Sequence, residues 1–118
     1  MDMMILTLVR RPDWTAAEQD GAYTGSADDR RDGFLHFSNP DQVRASAAKH
    51  RAGITDLLLV CADPAALGAV LVWEPAAGGS RPGLFPHLYG PLPMAAVRRV
   101  VPLPLGADGL HVFPEGIA

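Results

Sequence analysis

Two short segments combine residue types able to move protons or grip a polar ligand. Gly33-Phe34-Leu35-His36-Phe37-Ser38 places a hydroxyl two positions after a histidine. Phe85-Pro86-His87-Leu88-Tyr89-Gly90-Pro91-Leu92 does the same with Tyr89. An imidazole titrates near neutral pH, so it can donate to a ribose or phosphate oxygen or serve as acid or base. The first reading of the chain is therefore a pocket with His36 and His87 as candidate catalytic groups. Ser38 and Tyr89 are candidate ligand contacts. Glu74, closing the Trp73-Glu74 strand end, is a candidate site carboxylate. Each segment also has a plainer reading: a core strand for His36, a helix-capping hydroxyl for Ser38, and a rigid proline-bound corner for His87 and Tyr89.

Other chemistries have little support. His36, His50, His87 and His111 fall in four different elements without a paired spacing, so no metal is expected. Gly78-Gly79 opens no helix, and neither a dinucleotide-binding nor a P-loop pattern occurs. The lone Cys61 lies in an apolar run and reads as a small hydrophobe, with no disulfide framework. Ten basic against 13 acidic residues give a net charge of −3, which argues against duplex nucleic acid as a partner. No apolar stretch approaches a membrane span, the N-terminus does not read as a signal peptide, and a reducing cytoplasm is the default location.

The elements that must position these groups follow from pattern. The 118 residues suit one domain, taken as 1–113 with a frayed tail at 114–118. Met4 to Val9 reads as a strand. Pro12 then opens a short helix ended by Gly21. Ala22 to Asp32 is polar and reads as a mobile flap. Gly33 to Ser38 is a strand. Asn39-Pro40-Asp41-Gln42 signals a capped helix running to about Arg51, with Val43, Ala47 and His50 facing inward. Asp56 to Ala62 is a continuous apolar run, expected as a central strand covered on both faces. Ala69 to Glu74 is a strand, Pro75 to Gly83 a loop, and Leu84 to Leu92 irregular because prolines interrupt it. Val97 to Leu103 and Leu110 to Phe113 complete about six strands. With both helices in the first half, the class is α+β: two packed half-sheets with two helices on one side.

Trp14 after Pro-Asp, the His36 segment, Trp73-Glu74-Pro75 and the His87 segment resemble, in order and spacing, a family of small bacterial proteins catalogued as domain of unknown function 952. That family looks similar in fold to the ADP-ribosyltransferases, which grip NAD between two half-sheets. His36-Phe37-Ser38 is similar to the His-hydrophobic-Ser segment of the RNA 2′-phosphotransferases. The resemblance implies a small nucleotide-like ligand: NAD, ADP-ribose or a phosphorylated nucleotide end, bound or acted on by an ADP-ribosyl or 2′-phosphate transferase. The alternative is a non-catalytic ligand-binding or protein-interaction module. Many relatives carry Tyr-His or Tyr-Lys on the first strand where this chain has Thr7-Leu8, and a histidine there implies a ribose contact that Leu8 cannot make.

Overall fold

A computed structural model describes residues 3–76 and 81–117. The Gly78-Gly79 pair lies outside the described residues. Eight strands and three α-helices are seen among them. Strand β1 (Ile5–Arg10) leads into α1 (Arg11–Asp20), then β2 (Ala22–Tyr23), α2 (Ala27–Asp32), β3 (Leu35–His36) and α3 (Val43–His50). The second half holds β4 (Leu57–Ala62), β5 (Leu71–Pro75), β6 (Leu84–Leu88), β7 (Leu92–Pro93) and β8 (Val97–Pro102). The class is α+β, and all strand pairings are antiparallel.

Two three-stranded sheets, ordered β1-β4-β8 and β3-β6-β5, form the frame, with β2 and β7 as a small ribbon. The two large sheets meet at one bridge. The Leu6 N–H donates to the Ser38 carbonyl at 2.8 Å, and the Ser38 N–H returns the bond to Leu6 at 2.7 Å. That bridge fixes where Ser38 sits relative to β1.

Strand β4 is buried along its whole length. Its alternation divides the interior. Leu58, Val60 and Ala62 join a core with Trp14 and Ala17 of α1 and Leu35 and Leu88 of the second sheet. Leu57, Leu59 and Cys61 face the other way, toward Val43, Leu103 and Ile117. Cys61 is a buried free thiol, and burial pushes its pKa up.

Several expectations need correction. The supposed flap is ordered: Ser26 and Asp29 form a reciprocal capping box that starts α2, and Gly33 ends it at φ 86°. A third helix is therefore present. Helices α1 and α3 lie against opposite cores rather than on one side, because Trp14 and Val43 pack on opposite faces of β4. Leu84–Leu88 is a central strand despite its proline. The Phe37 N–H bonds the Pro86 carbonyl at 3.0 Å, and Pro86 has no N–H to give in return, so the β3–β6 ladder ends there. Asn39 and Gln42 exchange both expected bonds at 2.9 Å, but α3 begins only at Val43. On α3 the inward residues are Val43, Ser46 and Ala47, and His50 is exposed. Leu110–Phe113 forms no strand; only an isolated bridge joins Leu105 to His111. The tail is not wholly frayed, since Ile117 is buried in the second core.

Candidate functional site

His36 ends β3 and His87 lies beside it on β6, as a directly paired position. Their ring centroids are 5.8 Å apart. Both line a cavity of about 200 Å³, together with Ser38, Ser46, Arg81 and the α2 carboxylates. Phe34 connects the two imidazoles: its ring stacks on His87 at 4.0 Å and contacts His36 at 4.6 Å.

The two histidines have different partners. Both nitrogens of His36 face carboxylates: Nδ1 is 2.5 Å from Asp29 Oδ1, and Nε2 is 2.9 Å from Asp32 Oδ2. A ring whose two nitrogens both meet carboxylates is satisfied fully only as imidazolium. Burial acts to lower the His36 pKa, but Asp29 and Asp32 outweigh it and the value is raised. Burial acts to raise Asp29, and the bonds from His36 and Ser26 bring it below its ordinary value. Asp29 also accepts the His36 backbone N–H at 3.0 Å and the Ser26 N–H at 2.8 Å. Asp32 is lowered by its bond to Arg31 and then by His36. The result is a clamp that ties α2 to β3.

His87 is buried, and only one of its nitrogens is engaged among the described residues. Nδ1 lies 2.8 Å from Glu74 Oε1, on the neighbouring strand β5. The Tyr89 hydroxyl donates to the same oxygen at 2.5 Å. Glu74 is lowered by Tyr89 first and His87 second, and it raises Tyr89 in turn. A carboxylate partner holds a proton on Nδ1 and leaves Nε2 of the neutral ring as an acceptor. Glu74 and Tyr89 do not line the cavity; they reach it through His87.

Ser38 is buried and shares a 2.8 Å bond with the Ser46 hydroxyl. Arg81 donates to that Ser46 oxygen at 3.0 Å. The guanidinium carbon lies 4.4 Å over the Phe85 ring. Leu8 lines the cavity, and the Thr7 hydroxyl is spent on the His36 carbonyl at 2.9 Å. Among the described residues no group of three or more His, Cys, Asp or Glu is arranged to hold a metal ion.

Sequence reasoning missed Asp29, Asp32, Ser46 and Arg81. The signal for Asp29 was present in Ser26-Ala27-Asp28-Asp29, a capping-box spacing ahead of Gly33. Ser46 was visible as the polar member of the Val43–Ala47 stripe. Arg81 carried no signal beyond being the one basic residue in a Pro- and Gly-rich loop.

The fold is α+β, with two carboxylate-bonded histidines paired across β3 and β6 of one antiparallel sheet. The chain belongs to the family described as a protein of unknown function, DUF952, whose model matches residues 8–100. Among solved structures it is similar to protein CC0527 from Caulobacter crescentus. The crystal structure of that protein is 38% identical and covers 97% of both chains with a TM-score of 0.88. Its solution NMR structure is 40% identical, covers 91% of this chain and 90% of that one, and gives 0.78. No curated protein matches the chain. Among the described residues, no helix is long and apolar enough to cross a membrane.

Proposed function

We propose that the protein binds a compact nucleotide-like ligand in the His36–His87 cavity and acts on it through His87, as a transferase of the ADP-ribosyl or 2′-phosphate type. The observation that carries this reading is the anchoring of His87: Glu74 fixes Nδ1, and the ring lines the cavity with Nε2 uncommitted among the described residues. Carboxylate-oriented imidazoles of this kind accept or deliver a proton at the far nitrogen. Tyr89 supports the dyad by holding Glu74 ionised. In this reading His36 is a positioning residue, since both its nitrogens are committed to Asp29 and Asp32.

Size narrows the ligand. Pockets for drug-sized molecules span roughly 300–1,000 Å³, so a cavity of about 200 Å³ suits a ribose or phosphate end better than a whole dinucleotide. NAD or ADP-ribose would insert one end and leave the remainder outside. Leu8 offers no hydrogen bond to a ribose.

The test is a thermal-shift panel of NAD, ADP-ribose, adenosine and its 2′-, 3′- and 5′-monophosphates, followed by turnover assays on any binder. A ligand at 100 times its dissociation constant adds about 2.7 kcal/mol. Wild type should shift with at least one nucleotide-like ligand, and His87→Gln should abolish turnover. Binding with no turnover reduces the protein to a ligand-binding module. No shift with any of them contradicts the reading and favours a protein-interaction role.

A further inference from the structure

One wall of the cavity has a charge with no carboxylate partner among the described residues. The acidic wall is internally balanced: Asp28 pairs with Arg31 at 3.4 Å and Arg51 at 3.5 Å, while Asp29 and Asp32 hold His36. Arg81, half-buried on the other wall, has no carboxylate partner among the described residues. Its bonds there go to Ser46 Oγ at 3.0 Å and, more weakly, to the Gln42 carbonyl at 3.5 Å. Part of its N–H fork is thus uncommitted. Burial of a cation without an anion costs free energy, and burial lowers the Arg81 pKa accordingly.

The hydroxyls beside it are also incompletely used. Ser38 and Ser46 carry one hydrogen each, and their mutual bond consumes only one. Ser46 accepts from Arg81, so whichever serine donates to the other, one O–H is uncommitted among the described residues. His50, at the end of α3, also lines the cavity. Partial desolvation lowers its pKa, Lys49, Arg51 and Arg81 lower it further, and Asp28 acts in the other direction. The Phe85 ring under Arg81 helps fix the guanidinium plane.

We infer that Arg81, Ser46 and Ser38 form a subsite for a phosphoryl dianion, which makes the ligand of this cavity a phosphomonoester. The inference rests on the pocket reading above and names the group the ligand must carry. A guanidinium fork and a hydroxyl converging from two elements match tetrahedral phosphate oxygens. The dianion supplies the counter-charge that no described residue gives Arg81.

The test uses inorganic phosphate as probe, read by backbone and arginine side-chain NMR signals of the intact chain. Wild type should bind phosphate, with the largest changes at Arg81, Ser46 and Ser38. Arg81→Gln should weaken binding about tenfold or more, equivalent to roughly 1.4 kcal/mol. Ser46→Ala should weaken it several-fold, and the surface variant Arg98→Gln should leave it unchanged. The adenosine monophosphates, compared with adenosine, then separate a nucleotide-borne phosphate from the free ion. No phosphate binding to wild type, changes that map elsewhere, or equal binding to Arg81→Gln overturns the subsite. If adenosine binds and phosphorylation adds nothing, the subsite falls and the pocket reading stands; if none of these ligands binds, both fall.

Discussion

The two histidine strands look alike in sequence and are opposites in structure. His36 at the end of β3 is saturated by two carboxylates from α2, one of them buried. His87 on β6 is buried and anchored at a single nitrogen by a half-exposed carboxylate, which also accepts a bond from an exposed tyrosine. The first arrangement spends the imidazole on holding a helix in place. The second engages one nitrogen and leaves the other without a partner among the described residues. A histidine followed two positions later by a hydroxyl thus does not specify a role; the number of carboxylates that the fold brings to each ring does.

Breaking the clamp should have the largest effect on stability. Asp29 supports the α2 capping box, the His36 backbone and the His36 ring at once. Asp29→Ala should cost at least about 2 kcal/mol, since it removes the α2 cap and leaves the His36 N–H groups without their acceptor. Denaturant unfolding would measure it. Glu74→Gln, by contrast, should change stability far less, because that carboxylate is open to solvent screening. If the two variants cost the same, the contrast between the strands fails.

His36→Gln comes next, at about 1–3 kcal/mol, since it leaves Asp29 incompletely paired. It also tests the sign of a pH effect. The folded pKa of His36 is raised, so its contribution is full below the unfolded value of 6.5 and is lost as pH rises through the folded value. The lowered pKa values of Asp29 and Asp32 set the acid limit, with stability lost as pH falls through the carboxylate range. His50, whose pKa is lowered, opposes His36 below 6.5, where the unfolded chain binds the proton more readily. The wild-type minus His36→Gln difference isolates the clamp. It should shrink as pH rises above 6.5; a difference that instead grows as pH rises through 6.5 would mean that His36 is neutral in the fold.

Much of the frame was legible because burial writes itself into composition. The run from Asp56 to Ala62, apolar after its first residue, reads as a strand covered on both sides, and β4 is one. The site was legible only in part. His36, Ser38 and His87 stand out by residue type, and the structure places all three on one cavity. The groups that separate their roles were harder to see. Asp29 and Asp32 sit in a segment whose polarity suggests a loop, although a six-residue helix needs few apolar residues when Ser26 and Gly33 cap both ends. Pro86 hid β6, because a proline in a central strand is tolerated only where a ladder already stops. The partner of Arg81 lies 35 positions away in sequence, and no local pattern encodes such a pairing.

Smaller effects sharpen the contrast. Phe34→Leu should cost about 0.5–1.5 kcal/mol by removing the ring stacked between the imidazoles. Tyr89→Phe should leave stability nearly unchanged, as Tyr89 is exposed, while the Glu74 pKa rises toward its ordinary value. Carboxylate NMR titration reads that shift directly.

The most direct test of the division between the two histidines is ¹⁵N NMR of their imidazoles across a pH titration. At pH 6.5 the His36 ring should be mostly imidazolium, with both nitrogens protonated. Neutral His87 should be the Nδ1–H tautomer, with Nε2 unprotonated and facing the cavity. A His36 ring that loses its proton below pH 6.5, or a neutral His87 carrying its proton on Nε2, would contradict that division.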